Sequence, residues 1–366
     1  MLNDSGETGP AHHITLMVKP ESWVKVTPKG LYVEPGDFYV DPTRSVARAL
    51  ITHGHADHAR PGNAAVLATP ETLAIMRARY GARAGEKLEE AAYGSIHKIG
   101  DVTVKFVPAG HVLGSAQIVM EYQGCRVVAS GDYKRGFDPT CRPFEPQPCD
   151  VFITEATFGL PVFTHPPAMD EIGKLLHSLQ TFPERAHLVG AYTLGKCQRV
   201  MALLRAAGWE RPIYLHGAAL SLVRLYEELG VKLGPWISVG QVKDKKELAG
   251  QVVMCPPSAL ADRWSRRLPD PVTGMASGWM RVRGRARQRG AELPLVISDH
   301  ADWNELLQTL DDVGAPEVWI THGREEALMH AATLRGYKAR ALALIGYDED
   351  ESAGIEEKIE AEETDS

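Results

Sequence analysis

No stretch of this 366-residue chain is apolar for long enough to span a bilayer, and residues 1–10 lack the apolar core of a secretory signal. A membrane anchor and export are therefore not expected, and a cytoplasmic location is. Cysteine is scarce. Cys125, Cys141, Cys149, Cys197 and Cys255 make an odd number with no close pair at metal spacing, so they read as reduced packing thiols rather than a disulfide framework. No internal repeat is present. The net charge of −7 suggests a shortage of positive side chains, but residues 347–366 carry ten acidic groups against Lys358. That acidic, aromatic-poor end is expected to be disordered. Without its −9 the body is +2, mildly basic, which permits a polyanionic partner. With 44% hydrophobic residues, the chain can hold one large or two ordinary soluble domains.

What is present is concentrated in His53-Gly54-His55-Ala56-Asp57-His58, directly after the apolar run 47–52. A buried strand ending there delivers four potential ligands to one short loop. His53 and His55 can face one metal, while Asp57 and His58 can reach a second beside it. Imidazoles with carboxylates suit Zn²⁺, with Mn²⁺ or Fe also compatible.

The first part of the chain reads as strands and turns, with a helix predicted over 70–80. Asp41, His111, Asp132 and Glu155 each sit at or just beyond the end of a predicted strand, as the histidine loop does. In layered α/β folds that edge is where loops converge on a site. From about residue 161 to 292, predicted helices (168–180, 195–207, 218–229, 258–267) alternate with short strands (187–191, 212–216, 251–254), as in a separate parallel α/β unit. Its end is rich in arginine, notably Arg281, Arg283, Arg285, Arg287 and Arg289, with Trp264 and Trp279 interleaved. Strands at 295–300 and 318–322 then end in His300 and His322, each followed by a predicted helix.

The run Ile51 to His58 resembles the signature of metallo-β-lactamase-fold hydrolases, with Asp41, His111 and Asp132 at the fold's other motif positions. Glu155, His300 in Ser-Asp-His-Ala-Asp and His322 in Thr-His-Gly-Arg-Glu resemble the three additional motifs of the β-CASP nucleases. The resemblance covers residues 14–345. It is nearest to the bacterial ligase-associated DNA exonucleases, through Gly30-Leu31-Tyr32, Tyr39-Val40-Asp41-Pro42, His58-Ala59-Arg60-Pro61-Gly62, residues 109–116 and Leu194-Gly195-Lys196-Cys197-Gln198-Arg199. It implies an α/β fold, an αββα metallo-β-lactamase sandwich with an inserted α/β β-CASP domain. The sandwich would comprise 1–160 and 295–346, the insert 161–294 and the acidic tail 347–366.

The family pattern implies two divalent ions, one held by His53, His55 and His111, the other by Asp57, His58 and His322, with Asp132 bridging. Such a pair acidifies a shared water to a pKa near 7 for in-line attack on phosphorus. His300, hydrogen-bonded to Glu155, is the candidate general acid, and Asp41 is the carboxylate that orients His58. The implied reaction is exonucleolytic hydrolysis of DNA, at single-stranded ends, in a repair pathway with a ligase and a helicase as partners. An RNA-processing nuclease of the same fold is the alternative, because that branch shares a histidine at the position of His322. A lactonase- or thioesterase-like hydrolase would share the histidine loop but lack the insert and the His300 motif. Arg281, Arg283 and Arg285 on one face of a strand, with Lys196 and Arg199 at a helix start, are the expected phosphate contacts.

Overall fold

The computed structural model describes residues 18–342 and Leu344; the acidic tail expected at 347–366 lies outside these. Three sheets organise the chain. The first takes six strands in sequence order, from Val24–Thr27 to Lys87–Glu90. The second has seven, in the order Lys338–Ala341, Glu317–Gly323, Val151–Ala156, Cys125–Ala129, Ala116–Tyr122, Val102–Pro108, Ile96–Ile99. Their facing surfaces bury one core, with Leu31, Phe38, Val40 and Leu50 from the first against Phe106, Ile118, Val127, Ile153 and Trp319 from the second.

Each sheet is covered on its outer face by helix. Leu73, Met76 and Tyr80 of helix Pro70–Tyr80 pack on Ala49, Ile51 and Val66. Leu306 and Leu310 of Trp303–Val313, with Leu328 of Glu325–Leu334, pack on Phe152, Val318 and Ile320. The result is the expected αββα sandwich. Val151–Ala156 is buried at every position, as a parallel strand covered on both faces must be.

The third sheet interrupts the second in sequence. Its six strands, drawn from residues 187–295, are all parallel. Helices Ala168–Thr181, Lys196–Ala206 and Leu220–Glu228 cover one face, and their core also takes in Ile75 and Leu113 of the sandwich. This is the inserted α/β unit. Among the described residues, no helix is long and apolar enough to cross a membrane.

Three local expectations are corrected. Residues 281–289 are not a strand. Gly278–Arg281 forms a 3-10 turn and Arg283–Gln288 a helix, so the five arginines do not share one strand face. Their alternation was of charge rather than apolar side chains, and arginine, alanine and glutamine favour helix. The helix expected over 258–267 is two 3-10 turns, Pro257–Leu260 and Ser265–Arg267, separated where Asp262 accepts hydrogen bonds from neighbouring groups through its side chain and carbonyl. The strand expected over 295–300 stops at Leu295. Beyond it Ser298 Oγ takes the His300 N–H at 3.0 Å, replacing a ladder bond with a local one.

Lys196 and Arg199, expected as phosphate contacts at a helix start, are both engaged with carboxylates, while Lys196 also lines the cleft described below. Both are buried, at 2% and 3% exposure. Lys196 pairs with Asp299. Arg199 Nε donates to Asp138 Oδ2 at 2.6 Å and a terminal nitrogen to the Ser298 carbonyl at 2.5 Å. A buried guanidinium with its donors so engaged cannot also reach a phosphate. Arg199→Leu, which strands the Asp138 carboxylate, is expected to lower stability by about 3–5 kcal/mol in denaturant titration.

Candidate metal centre and active-site cleft

The ligand-bearing loops leave one edge of the sandwich together. Asp41 follows strand Phe38–Val40, His53 follows Arg48–Leu50, His111 follows Val102–Pro108 and Asp132 follows Cys125–Ala129. One helix braces two of these loops. Gly54 presses on Ile75, where an added Cβ would lie 2.6 Å from Cγ2, and Arg79 donates to the Gly54 carbonyl at 3.0 Å. At the start of the same helix, Thr69 and Thr72 hold the Gly114 carbonyl beside His111.

His322 reaches the centre by a different route. Glu155 pairs with Thr321 and Ala156 with Gly323, which leaves His322 as the extra residue of a β-bulge with φ +58°. A bulge turns a side chain that regular alternation would send elsewhere. Its ring lies 5.2 Å from that of His58.

Four groups have their donor atoms within 4.8 Å of one another: His53, His55, His111 and Asp132; His58, Asp132 and His322; His111, Asp299 and His300; and Asp132, Glu155 and His300. The first two contain the expected ligands. Asp132 belongs to both. Asp57 Oδ2 stands 3.6 Å from His58 Nε2. The outward ring nitrogens set the tautomers. His58 Nδ1 faces Asp41 Oδ2 at 2.8 Å, so it donates and turns Nε2 to the centre. Thr52 Oγ1 gives its proton to Asp41 Oδ2 at 2.6 Å and therefore accepts from His53 Nδ1 at 3.0 Å. His111 Nδ1 donates to the Asp299 carbonyl at 2.9 Å, and His55 Nε2 to the Leu194 carbonyl at 3.3 Å.

With the protons so placed, His55 Nδ1 turns a lone pair toward His53 Nε2 at 3.1 Å and His111 Nε2 at 3.0 Å. Such an arrangement repels itself unless a cation lies between the rings. Tetrahedral zinc with bonds of about 2.0–2.1 Å sets its donors about 3.3 Å apart, matching these spacings. The residues present therefore fit a dinuclear metal site.

Electrostatics agree with the geometry. Burial and the neighbouring His58 hold His53 and His322 down to about 4, and burial with His300 holds His111 well below the usual imidazole range. These rings are neutral at pH 7 and able to bind metal. For His58, burial disfavours charge, but Asp132 and Asp57 outweigh it and push the ring well above that range. Asp132 is held well down despite burial, chiefly by His58. The second group is thus a place that draws positive charge. Asp41→Asn keeps the shape and removes the charge that fixes His58. It is expected to weaken zinc binding about 10- to 100-fold by chelator competition.

His300 stands beside this cluster, its ring 4.6 Å from that of His111. Its Nδ1 lies 3.0 Å from Glu155 Oε2, while Glu155 Oε1 accepts the Tyr133 N–H at 2.7 Å. Burial pushes the Glu155 carboxyl up and His300 opposes it. The centre opens into a cleft of about 60 Å³ between sandwich and insert, lined by Asp57, Asp132 and His300 on one side and Tyr192, Lys196, Ser277 and Trp279 on the other. Arg285 stacks on Trp279 at 4.0 Å, whereas Trp264 packs on His216 away from the cleft lining. Arg281 and Arg283 are exposed.

Three site contributors carried no sequence signal as such. They are the Thr52 hydroxyl and the carbonyls of Leu194 and Asp299.

No family model matches the chain. A protein of Opitutus terrae named "Probable DNA ligase" is 28% identical over 334 residues, 89% of this chain and 31% of that protein. "Endoribonuclease YSH1" of Kluyveromyces lactis is 33% identical over 123 residues, 32% of this chain and 16% of its own length. "Endoribonuclease ysh1" of Emericella nidulans is 23% identical over 329 residues, 66% of this chain and 37% of its own. The chain thus spans less than half the length of these relatives. A solved protein of unknown function from Enterococcus faecalis shares the fold, with a TM-score of 0.53 at 13% identity over 82% of this chain and 80% of that one. Fold, ligand geometry and relatives agree: the chain has a metallo-β-lactamase-type αββα sandwich with an inserted α/β unit, and it is similar to the Opitutus protein and, over shorter shares, to the YSH1 endoribonucleases.

Proposed function

We propose that the chain is a metal-dependent DNA exonuclease acting on single-stranded ends, with residues 161–294 as its inserted β-CASP domain. The observation that carries a phosphodiesterase reading is the Glu155–His300 pair, held 3.0 Å apart at the lip of a double histidine–carboxylate cluster. His53, His55, His111 and Asp132 would hold one divalent ion, and Asp57, His58, His322 and Asp132 the other, with zinc the best match to the donors and Mn²⁺ or Fe compatible. Bound there, the ions supply Lewis acidity to water and to the phosphoryl oxygens.

The protein's own groups supply the rest. Glu155 fixes the His300 ring through Nδ1 and is itself fixed by the Tyr133 N–H. His300 gives a proton to the departing deoxyribose oxygen, a contribution of about 10²–10⁴ in rate. Asp41 keeps His58 in its ligand tautomer. Trp279 and Tyr192 in the cleft wall offer aromatic faces to unstacked bases, and exposed Arg281 and Arg283 face the phosphates outside. A partnership with a ligase, and with it a place in DNA repair, is supported by the name of the Opitutus relative.

RNA is the second reading, favoured by the endoribonuclease names of the YSH1 relatives and by the histidine at position 322. Digestion of end-labelled single- and double-stranded DNA and RNA with Zn²⁺ or Mn²⁺ separates the two, with Asp132→Ala as control. Mononucleotides released from single-stranded DNA are the expected product. Cleavage of RNA alone transfers the assignment to the second reading.

A further inference from the structure

The two groups of donors are supported differently. His53 and His58 lean on Thr52 and Asp41, both within the sandwich. His55 leans on the Leu194 carbonyl, which belongs to the insert. His111 leans on the Asp299 carbonyl, and Asp299 is clamped through its carboxylate by Lys196 of the insert.

The insert's turn is rigid where it makes these contacts. Gly195 has φ +84° and its N–H is held by Gln198 Oε1 at 2.8 Å, while Gln198 Nε2 holds the Thr193 carbonyl at 2.8 Å. It approaches so closely that a Cβ on Gly195 would lie 2.3 Å from Val112 Cγ1, one residue beyond His111. Arg199 adds bonds to the Ser298 carbonyl at 2.5 Å and the Gly110 carbonyl at 3.5 Å, on either side of the same contact.

From these contacts we infer that Lys196 is a positioning residue for one metal position only. Through Asp299 it sets His111, so that affinity at the His53–His55–His111 group depends on the docked insert, while the His58–His322 group is independent of it. The inference rests on the proposed dinuclear site and assigns Lys196 a task other than holding phosphate.

The test is a zinc titration against a chromophoric chelator, which requires no substrate. In Lys196→Met, one of two ions is expected to bind 10- to 100-fold more weakly and the other unchanged, the range seen when an outer partner of a ligand is lost. Lys196→Arg, which keeps the charge, is expected to recover most of the loss. Because Lys196→Met strands a buried carboxylate, the double variant Lys196→Met/Asp299→Asn removes both charges and serves where the single variant folds poorly. Its circular dichroism should match the parent and its zinc defect should persist.

Assignment comes from ligand backgrounds. With His322→Ala the remaining ion should be weakened by Lys196→Met; with His55→Ala it should not. Equal weakening of both ions, or of neither, overturns the inference and leaves the nuclease proposal standing. A parent protein that binds no zinc overturns both.

Discussion

Asp132→Ala should leave a folded protein that retains neither ion and cleaves phosphodiesters at background rate. The expectation follows from one carboxylate serving two groups, with Oδ2 3.3 Å from both His53 Nε2 and His58 Nε2. Its removal takes away a ligand from each group at once. It also removes the negative charge that balances a second cation nearby, which two adjacent ions need in a buried site. Metal analysis after dialysis is the direct reading, and near-complete loss of both ions is expected. Retention of one ion at parental affinity would show that Asp132 is not shared, and the dinuclear assignment would have to be redrawn. Because most of the core is remote from this edge, the far-ultraviolet spectrum should not change.

His300→Ala should separate chemistry from metal binding. His300 is not among the ligands proposed for the metal pair, although its donor atoms lie within 4.8 Å of those of His111 and Asp299 and of Asp132 and Glu155, and its Nδ1 is committed to Glu155. Turnover on a nucleic acid is expected to fall about 10²–10⁴-fold with the ion content unchanged. A general acid matters in proportion to how poor the leaving group is. The same variant should therefore lose little on a p-nitrophenyl phosphodiester, whose leaving group departs without a proton. An equal loss on both substrates would assign His300 to holding the site together. Glu155→Gln, which keeps a hydrogen bond and loses the charge, should fall between parent and His300→Ala.

How much of this was legible beforehand depended on range. The His53–His58 loop could be read directly, since a strand and six adjacent residues define it. The partnership of Glu155 with His300 spans 145 positions and was accessible only through resemblance to other chains. Lys196 and Arg199 show the opposite case, in which the sequence hid their contacts. A basic helix start reads as an anion site, but their acidic partners lie 103 and 61 positions away, where no local pattern can register them. Thr52, Leu194 and Asp299 act through a hydroxyl and two carbonyls, groups whose use leaves no mark on residue type. The bulge that turns His322 inward was likewise silent, because it is a property of pairing with Val151–Ala156 rather than of the strand itself. Strands Lys87–Glu90 and Lys338–Ala341 escaped notice because they are edge strands rich in charge, which blunts association but erases the alternating pattern.

The bulge at His322 also bears on synthesis. The strand that carries it sits one strand in from the edge of a sheet begun more than two hundred residues earlier, between Val151–Ala156 and Lys338–Ala341. A growing polypeptide still on the ribosome can assemble the histidine loop and Asp132, yet must wait for Glu317–Gly323 before the final imidazole arrives. Metal captured early would meet an open, exchangeable half-centre, and only a chain extended past Gly323 can retain the pair.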